Sequence, residues 1–220
     1  MQPSPCADTA HLTTYTSINL PYCEDFESSE ISYLPDNWSG TSFPPTVQWV
    51  DNNNHADGKD LRFSGTMSYM ADRIAILPDV DEENLNNVQI EFDIRSSNHT
   101  YTHLVVGVVD APGNAASFTP VATLSCTSSN TFQHFSVSLA NYTGEGRFIA
   151  FRATNSTNQN MLVDIDNLHI FACPLPVFER TGATDFRLTL PHTTTADYWM
   201  GIGDSLLHIT QNPYHLHGLE

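Results

Sequence analysis

The segment V-Q-I-E-F-D-I-R (residues 88–95) decides the fold class. Val88, Ile90, Phe92 and Ile94 are apolar, and each is followed by a polar or charged residue. A period of two places the four apolar side chains on one face of a strand and leaves the other face polar. The pattern is typical of a half-buried antiparallel strand, so it predicts a sheet that covers a core on one side.

Similar strand patterns recur on both sides of this segment, separated by turn residues, and helical patterns are almost absent. The further candidates are residues 60–65, 73–77, 103–110, 118–125, 134–139, 147–152 and 162–173. About eight to ten strands before Cys173 fit two packed sheets. We therefore predict an all-β fold, a jelly-roll β-sandwich.

The last of these strands contains an irregularity. In L-V-D-I-D-N-L-H-I-F-A (residues 162–172), Val163 and Ile165 have one parity, whereas Leu168, Ile170 and Ala172 have the other. An extra residue in one strand, a β-bulge, switches the face in this way and often re-aims a side chain. We therefore predict a β-bulge at Asp166 and Asn167.

The chain is strongly acidic, because 25 Asp and Glu residues oppose eight Lys and Arg residues and give a formal net charge of -17. Such a chain repels nucleic acid and anionic membrane surfaces. Its apolar runs are shorter than the roughly 18 residues that a spanning helix needs. We therefore expect no nucleic-acid binding and no direct membrane insertion, whereas the many carboxylates suit hard cations.

The four cysteines, at positions 6, 23, 126 and 173, form no C-x-x-C pair and have no zinc-finger spacing. An even number of cysteines in a Thr-, Ser- and Asn-rich chain favours an oxidising, extracytoplasmic location. Three connectivities are possible, and the sequence does not choose among them. If the first and last strands are neighbours, a bridge between Cys23 and Cys173 is favoured over a local clasp between Cys6 and Cys23.

The sequence pattern of the chain changes after Cys173. P-L-P (residues 174–176) predicts a linker, and residues 185–190, 198–203 and 208–219 have strand patterns. We divide the chain into an N-terminal arm (1–19), a jelly-roll domain (20–173) and a linker with a short β-rich C-terminal segment (174–220). About 45 residues are too few for a sandwich of seven strands, so we expect either a small appendage packed on the jelly roll or the beginning of a second domain.

Six motifs in order carry a family resemblance. They are L-P-Y-C-E-D-F-E-S (20–28), L-P-D-N-W-S (34–39), A-D-G-K-D-L-R-F-S-G (56–65), I-E-F-D-I-R (90–95), F-I-A-F-R (148–152) and V-D-I-D-N-L-H-I (163–170). Together they resemble the gingipain-type cleaved adhesin domains and related anchor-associated jelly rolls, whose fold is similar to that of galactose-binding and MAM domains. The tail motifs A-T-D-F-R-L-T-L, A-D-Y-W-M-G-I-G-D and N-P-Y-H-L-H-G-L are similar to the first half of a fibronectin type III repeat, which implies that the chain stops inside a second domain.

This resemblance implies binding rather than catalysis. We expect a recognition or adhesion module of an exported bacterial protein, extracellular or on the cell surface, that binds carbohydrate or a host or other extracellular protein. It also implies a monomer within a larger chain, with structural calcium. The alternatives are a carbohydrate-binding accessory module of a secreted glycoside hydrolase or protease, and a purely architectural spacer.

The resemblance further implies calcium ligands from the first strand, the Asp-Gly loop and the last strand. The matching positions are Asp25, Glu27, Asp57, Lys59 (through its carbonyl), Asp60 and Asp166. Calcium takes about six to eight oxygen ligands, and a bulge beside Asp166 would aim one of them. The alternative interpretation is that these acids only flank turns, since Asp-Gly is a common turn pair.

A carbohydrate site requires an exposed aromatic platform among amides and carboxylates. Trp49, followed by V-D-N-N-N-H, is the best candidate for ligand binding, and Tyr69 and Tyr101 are weaker ones. Packing in the core or at its rim is the alternative for each. Trp38 is expected to close one end of the sandwich.

The sequence contains no H-E-x-x-H and no G-x-S-x-G motif around its ten histidines. Glu91 and Asp93 share one strand face, as the two carboxylates of a jelly-roll glycosidase would. Their alternation with core residues is explained equally well by solvent exposure. We therefore expect no catalytic residues and no enzymatic activity.

Overall fold

The computed structural model describes residues 17–41, 50–51, 58–65, 73–97, 99–155, 161–172, 177–189, 198–202, 205–209 and 213–217. Within these residues the secondary structure is β-strand apart from two single-turn 3-10 helices, Leu85–Asn87 and Ala115–Ser117. None of the described residues belongs to a helix of the length and apolarity that a membrane crossing requires. Most of the strands up to residue 172 form two packed sheets, which confirms the predicted jelly-roll β-sandwich.

One layer of the sandwich is a five-stranded sheet with the strand order β10-β9-β12-β6-β3. Its strands are β3 (Ser39–Thr41), β6 (Ile74–Ile76), β9 (Thr102–Val109), β10 (Thr119–Leu124) and β12 (Phe148–Asn155). The central strands β9 and β12 are rich in Val, Ile, Phe and Ala, which suits strands that are covered on both faces.

The other layer is a six-stranded sheet with the order β11-β8-β13-β5-β4, and β2 pairs in addition with β13. Its strands are β2 (Tyr22–Glu24), β4 (Val50–Asp51), β5 (Asp60–Gly65), β8 (Val88–Ser96), β11 (Gln133–Ser138) and β13 (Met161–Ala172). The first and last strands of this sheet are therefore neighbours, as expected, with Cys23 opposite His169. This pairing brings residues that are far apart in sequence to one place.

The core lies between the two layers. The four apolar residues of the quoted segment point into it from β8, and each is at most 2% exposed. Phe92 meets Phe151 of β12 edge to face, with the ring centroids 5.3 Å apart. Trp38 is buried and packs edge-on against Phe26, and its expected role in closing one end of the sandwich stays a prediction.

Two further features lie outside the main layers. Strand β1 (Ser17–Ile18), at the end of the predicted N-terminal arm, pairs in parallel with β7 (Asp79–Val80). The C-terminal segment forms a three-stranded sheet and a hairpin. Its strands are β14 (Val177–Arg180), β15 (Phe186–Thr189), β16 (Tyr198–Ile202), β17 (Ser205–Ile209) and β18 (Tyr214–Leu216). The strand content agrees with the sequence patterns, and the fibronectin type III likeness stays a prediction.

Candidate functional site

The candidate site begins at the bulge in β13. Asp166 pairs with Asp93 of β8, but the next pair is His169 with Glu91, so β13 carries one extra residue. Asn167 takes up the irregularity with a left-handed φ of 52°, a conformation that asparagine tolerates better than most residues. Its side-chain amide donates to Asp93 Oδ2 at 2.9 Å. The predicted β-bulge is therefore confirmed.

Acidic side chains from three segments converge at this bulge. Asp166 is 8% exposed, and burial together with repulsion from Asp93, Glu27 and Asp25 raises its pKa to about 6. The pairing of β2 with β13 brings Asp25 and Glu27, which follow β2, towards Asp166. Asp166 therefore interacts electrostatically with Asp25 and Glu27, two other predicted calcium ligands. Asp25 and Asn167 also help to line a cavity of about 310 Å³.

Glu27 lies in a cradle made by Gly58 and Lys59. The Lys59 backbone N–H donates to Glu27 Oε1 at 2.6 Å, and a Cβ on Gly58 would lie 1.8 Å from that oxygen. Lys59 was expected to contribute its carbonyl. That role stays a prediction, and the structure shows in addition that its ammonium group donates to the carbonyl oxygens of Glu27 and Ser29, at 2.7 and 2.9 Å. The single lysine therefore ties the segment after β2 to the start of β5.

Asp60 has a different set of partners from the expected calcium site. Its Oδ2 accepts from Arg95 Nη2 at 2.8 Å within a buried ion-pair network. Asp164 lies at the centre of that network, accepting from Arg62 Nε at 2.7 Å and from Arg95 Nη2 at 2.8 Å. Asp51 accepts from Arg62 Nη1 at 2.6 Å. Asp60 thus links β5 to Arg95 of β8, with Arg62 Nη2 at 3.7 Å from its Oδ1, and its role as a calcium ligand stays a prediction.

The pKa of Asp60 gives a testable pH dependence. Burial and, to a lesser degree, repulsion from Asp164 raise this pKa from 3.8 to about 7. The attraction of Arg62 and Arg95 offsets only part of this increase. The folded state therefore binds the proton more tightly than the unfolded state. The contribution of Asp60 to stability is present at acidic pH and is lost as the pH rises from about 4 to about 7.

We expect Asp60→Asn to remove this loss, because the amide still accepts from Arg95 but does not ionise. Relative to the wild type, the variant should gain free energy of unfolding between pH 5 and pH 8, measured by denaturant titration. Asp81→Asn, at an exposed carboxylate, is the control and should show no such gain. A pH dependence of Asp60→Asn parallel to that of the wild type would contradict the prediction.

Several predicted residues lie outside the described residues: Trp49, Asp57, Tyr69 and Cys173. Tyr101 is described and is 42% exposed, on the turn before β9. Cys23 is an exposed thiol and Cys126 a buried one. The bridge between Cys23 and Cys173 stays a prediction, as do the roles of the aromatic residues.

Sequence reasoning missed Asp93 as a member of the site. Its carboxylate accepts from the Asn167 amide and contacts His134 Nδ1 at 3.0 Å, whereas the sequence suggested it only as half of a catalytic pair with Glu91. The signal was available, because Asp93 and Asp166 occupy polar positions on two strands that pair. Among the described residues, no three His, Cys, Asp or Glu side chains are arranged to hold a metal ion by themselves.

No protein-family model and no curated protein sequence matches this chain. Solved structures do match. The K1 cleaved adhesin domain of Lys-gingipain from Porphyromonas gingivalis W83 is 16% identical with a TM-score of 0.51, and the match covers 69% of this chain and 97% of that one. For the K3 domain of the same protein the TM-score is 0.49, with 14% identity over 68% and 96% of the two chains.

The CBM22-1 xylan-binding domain of Paenibacillus barcinonensis Xyn10C has a TM-score of 0.46, with 14% identity over 70% of this chain and 94% of that one. At such identities a structural match establishes the fold alone, and of these three domains the K1 domain has a TM-score above 0.5. The resemblance of the jelly roll to cleaved adhesin domains is therefore confirmed at the level of the fold.

Proposed function

We propose that this chain is a non-catalytic recognition and adhesion module that acts outside the cell or on its surface, as part of a larger bacterial protein. The observation that carries the proposal is the fold. The sandwich matches the K1 domain over 97% of that domain's length, and that domain is named a cleaved adhesin. Its ligand is carbohydrate or a host or other extracellular protein.

The location of the acidic side chains supports binding over hydrolysis. Asp93 is hydrogen-bonded to Asn167 and His134, and Asp164 is wholly enclosed by two arginines. A glycoside hydrolase needs two carboxylates that flank an open cleft, one of them free to donate a proton. Asp51, Asp60, Asp93 and Asp164 of this sheet are instead used in contacts that hold strands together.

Arrays of glycans and of extracellular matrix proteins test the proposal. We expect the full chain to bind members of at least one array and to release no reducing sugar from the glycans that it binds. Binding confined to plant or bacterial cell-wall polysaccharides would favour the accessory module of a secreted hydrolase or protease. Turnover of a polysaccharide, or no binding on either array, would overturn the proposed function.

We also propose that calcium binds at the bulge, held by Asp25, Glu27 and Asp166 together with backbone carbonyls and Asp57. The support is electrostatic: burial, and to a lesser degree the neighbouring carboxylates Asp93, Glu27 and Asp25, raise the pKa of Asp166, and a divalent cation would stabilise its charged form. Adding calcium should therefore raise the melting temperature by several degrees, since a ligand that binds only the folded state stabilises it by about 2.7 kcal/mol at a hundredfold excess over Kd.

The variant Asp166→Asn should have effects of opposite sign with and without calcium. In chelator at pH 7.5 the variant should have a higher melting temperature than the wild type, because a neutral amide replaces a buried carboxylate beside other carboxylates. In calcium it should abolish most of the rise that the wild type shows. Asp110→Asn, on the exposed turn after β9, is the matched control and should keep the full calcium response. Equal melting curves in chelator and in calcium for the wild type would remove the calcium proposal.

A further inference from the structure

A groove of about 540 Å³ opens between β2 and the loop that follows it, on residues that no sequence motif marked as functional. We call it the 22–37 groove. The residues that matter for its chemistry are Tyr22, Glu24, Glu30, Tyr33, Leu34 and Asp36. The groove adjoins the cavity at the bulge, because Glu24 lines both, but Asp25, Asp93 and Asp166 do not line the groove.

The loop beside the groove exposes large apolar side chains. Four such side chains are exposed among the described residues, and two of them, Ile31 and Tyr33, lie on this one loop. Tyr33 is 61% exposed, the largest fraction of the four. Apolar side chains that are exposed together, with polar residues around them, are typical of an interaction site.

The same loop is held in a fixed conformation. The Ser32 N–H donates to Val50 O at 2.8 Å, and the Lys59 ammonium donates to the carbonyl oxygens of Glu27 and Ser29. Ser32 adopts a left-handed φ of 77°, which turns the chain just before Tyr33. The aromatic side chain is therefore presented from a constrained backbone, which lowers the entropic cost of binding a ligand.

Hydrogen bonds also fix one of the carboxylates that line the groove, Glu24. Glu24 Oε2 accepts from the Tyr22 hydroxyl at 3.1 Å, and Oε1 accepts from the Phe26 N–H at 2.7 Å. The Tyr22 hydroxyl in turn accepts from Trp38 Nε1 at 3.2 Å. This chain of contacts runs from the buried indole to the groove and orients Glu24 towards it.

The charged groups that line the groove are all carboxylates. Among the described residues that line the groove, the charged side chains are Glu24, Glu30 and Asp36, and none of the three has an ion-pair partner in that part of the chain. Carboxylates only accept hydrogen bonds, whereas ammonium and guanidinium groups only donate them. The face of an exposed tyrosine ring also attracts a cation.

We propose that the 22–37 groove binds a lysine or arginine side chain on a segment of a partner protein. This inference rests on the proposed recognition function and adds the chemistry of the partner. The aliphatic stem of the basic residue lies along Tyr33 and Leu34, and its charged end reaches the carboxylates. A neutral sugar would stack on Tyr33 as well, but it would supply no charge to offset Glu24, Glu30 and Asp36.

The test is an NMR titration of the full chain with the peptide acetyl-Leu-Arg-Gly-amide and with its citrulline analogue, at about 0.15 M salt. Citrulline has nearly the shape of arginine without the charge. We expect the arginine peptide to shift resonances of residues 22–37 and to bind at least fivefold more tightly than the analogue. Glu30→Gln/Asp36→Asn should weaken binding about five- to tenfold, and Tyr33→Ala about threefold or more.

The matched control is Asp110→Asn/Glu145→Gln, which removes the same charge from exposed loops that do not line the groove. An equal loss of affinity in this control would mean that only the net charge of the chain attracts the peptide, and would overturn the inference. It would also fail if Tyr33→Ala abolished binding of oligosaccharides while the peptides caused no shift. If the groove variants bind array ligands as well as the wild type does, the proposed function stands and this inference fails. If the peptide binds in the groove but no array ligand binds, this inference stands and the proposed function fails.

Discussion

Asp164→Ala is expected to lower the free energy of unfolding by about 3–5 kcal/mol, the usual cost of removing one partner of a buried ion pair. Asp164 is 0% exposed and accepts four hydrogen bonds, from Nε and Nη2 of both Arg62 and Arg95. Its loss leaves buried guanidinium N–H groups without acceptors, and each unsatisfied group costs free energy. Chemical denaturation at pH 7 measures the difference.

The same variant should lower the pKa of Asp60. Asp164 contributes repulsion that raises this pKa, and the attraction of Arg62 and Arg95 remains when Asp164 is removed. The decrease in the free energy of unfolding that Asp60 causes between pH 4 and pH 7 should therefore be smaller in Asp164→Ala than in the wild type. This second readout separates an electrostatic role of Asp164 from simple loss of packing.

Asp93→Ala is the matched control, because it removes the same side chain from a neighbouring strand of the same sheet. The Asp93 side chain is 24% exposed and its ion-pair partner, His134, is mostly in solvent. An exposed pair of this kind is worth up to about 1 kcal/mol. If Asp164→Ala cost no more than Asp93→Ala, the network would not be the stabilising element inferred from its burial.

Short-range pattern was sufficient to predict the strands and one of their defects. The alternation in residues 88–95 predicted the buried face of β8, and the parity switch in residues 162–172 predicted the bulge. Both predictions depend on the period of two in a strand, which is a local property. The proximity of Asp25 and Glu27 to Asp166 required one further assumption, that the first and last strands pair, and the family resemblance supplied it.

The partners of Asp60 could not be predicted in that way. Arg62, Arg95 and Asp164 alternate with core residues, so parity alone places them on a face in contact with water. In the structure, the loop that contains Phe132 covers this face. Arg95 Cζ lies 4.5 Å from the centroid of the Phe132 ring, and the Asn130 N–H donates to Ser96 O. Which loop covers a sheet is a tertiary fact, and no local spacing encodes it.

The 22–37 groove was missed for a related reason. The sequence E-I-S-Y-L-P around Tyr33 contains no recognisable binding motif. The exposure of Tyr33 arises from the left-handed backbone of Ser32 and from hydrogen bonds that the loop makes with Val50 and Lys59. Trp49 was preferred because asparagines follow it closely, which is a compositional argument, whereas the groove is a consequence of how distant segments meet.

Phe151→Ala is expected to cost about 3–5 kcal/mol, the range measured for truncating a buried phenylalanine. Phe151 is 0% exposed on β12, and its ring meets that of Phe92 from the facing sheet at an interplanar angle of 72°. The substitution removes the ring from the interface between the two layers and leaves a cavity that strands held in two sheets cannot close. Phe151→Leu, which keeps much of the volume, should cost clearly less.

A double-mutant cycle locates this effect between the layers. Phe92→Ala and Phe151→Ala should be non-additive by about 0.5–1.5 kcal/mol, the interaction typical of an edge-to-face aromatic pair. Phe178→Ala is the control for the same substitution at a side chain that is 52% exposed, and its cost should stay within about 1 kcal/mol. Additive costs for the Phe92 and Phe151 variants would show that the two rings do not pack together, and the assignment of β8 and β12 to facing sheets would then be wrong.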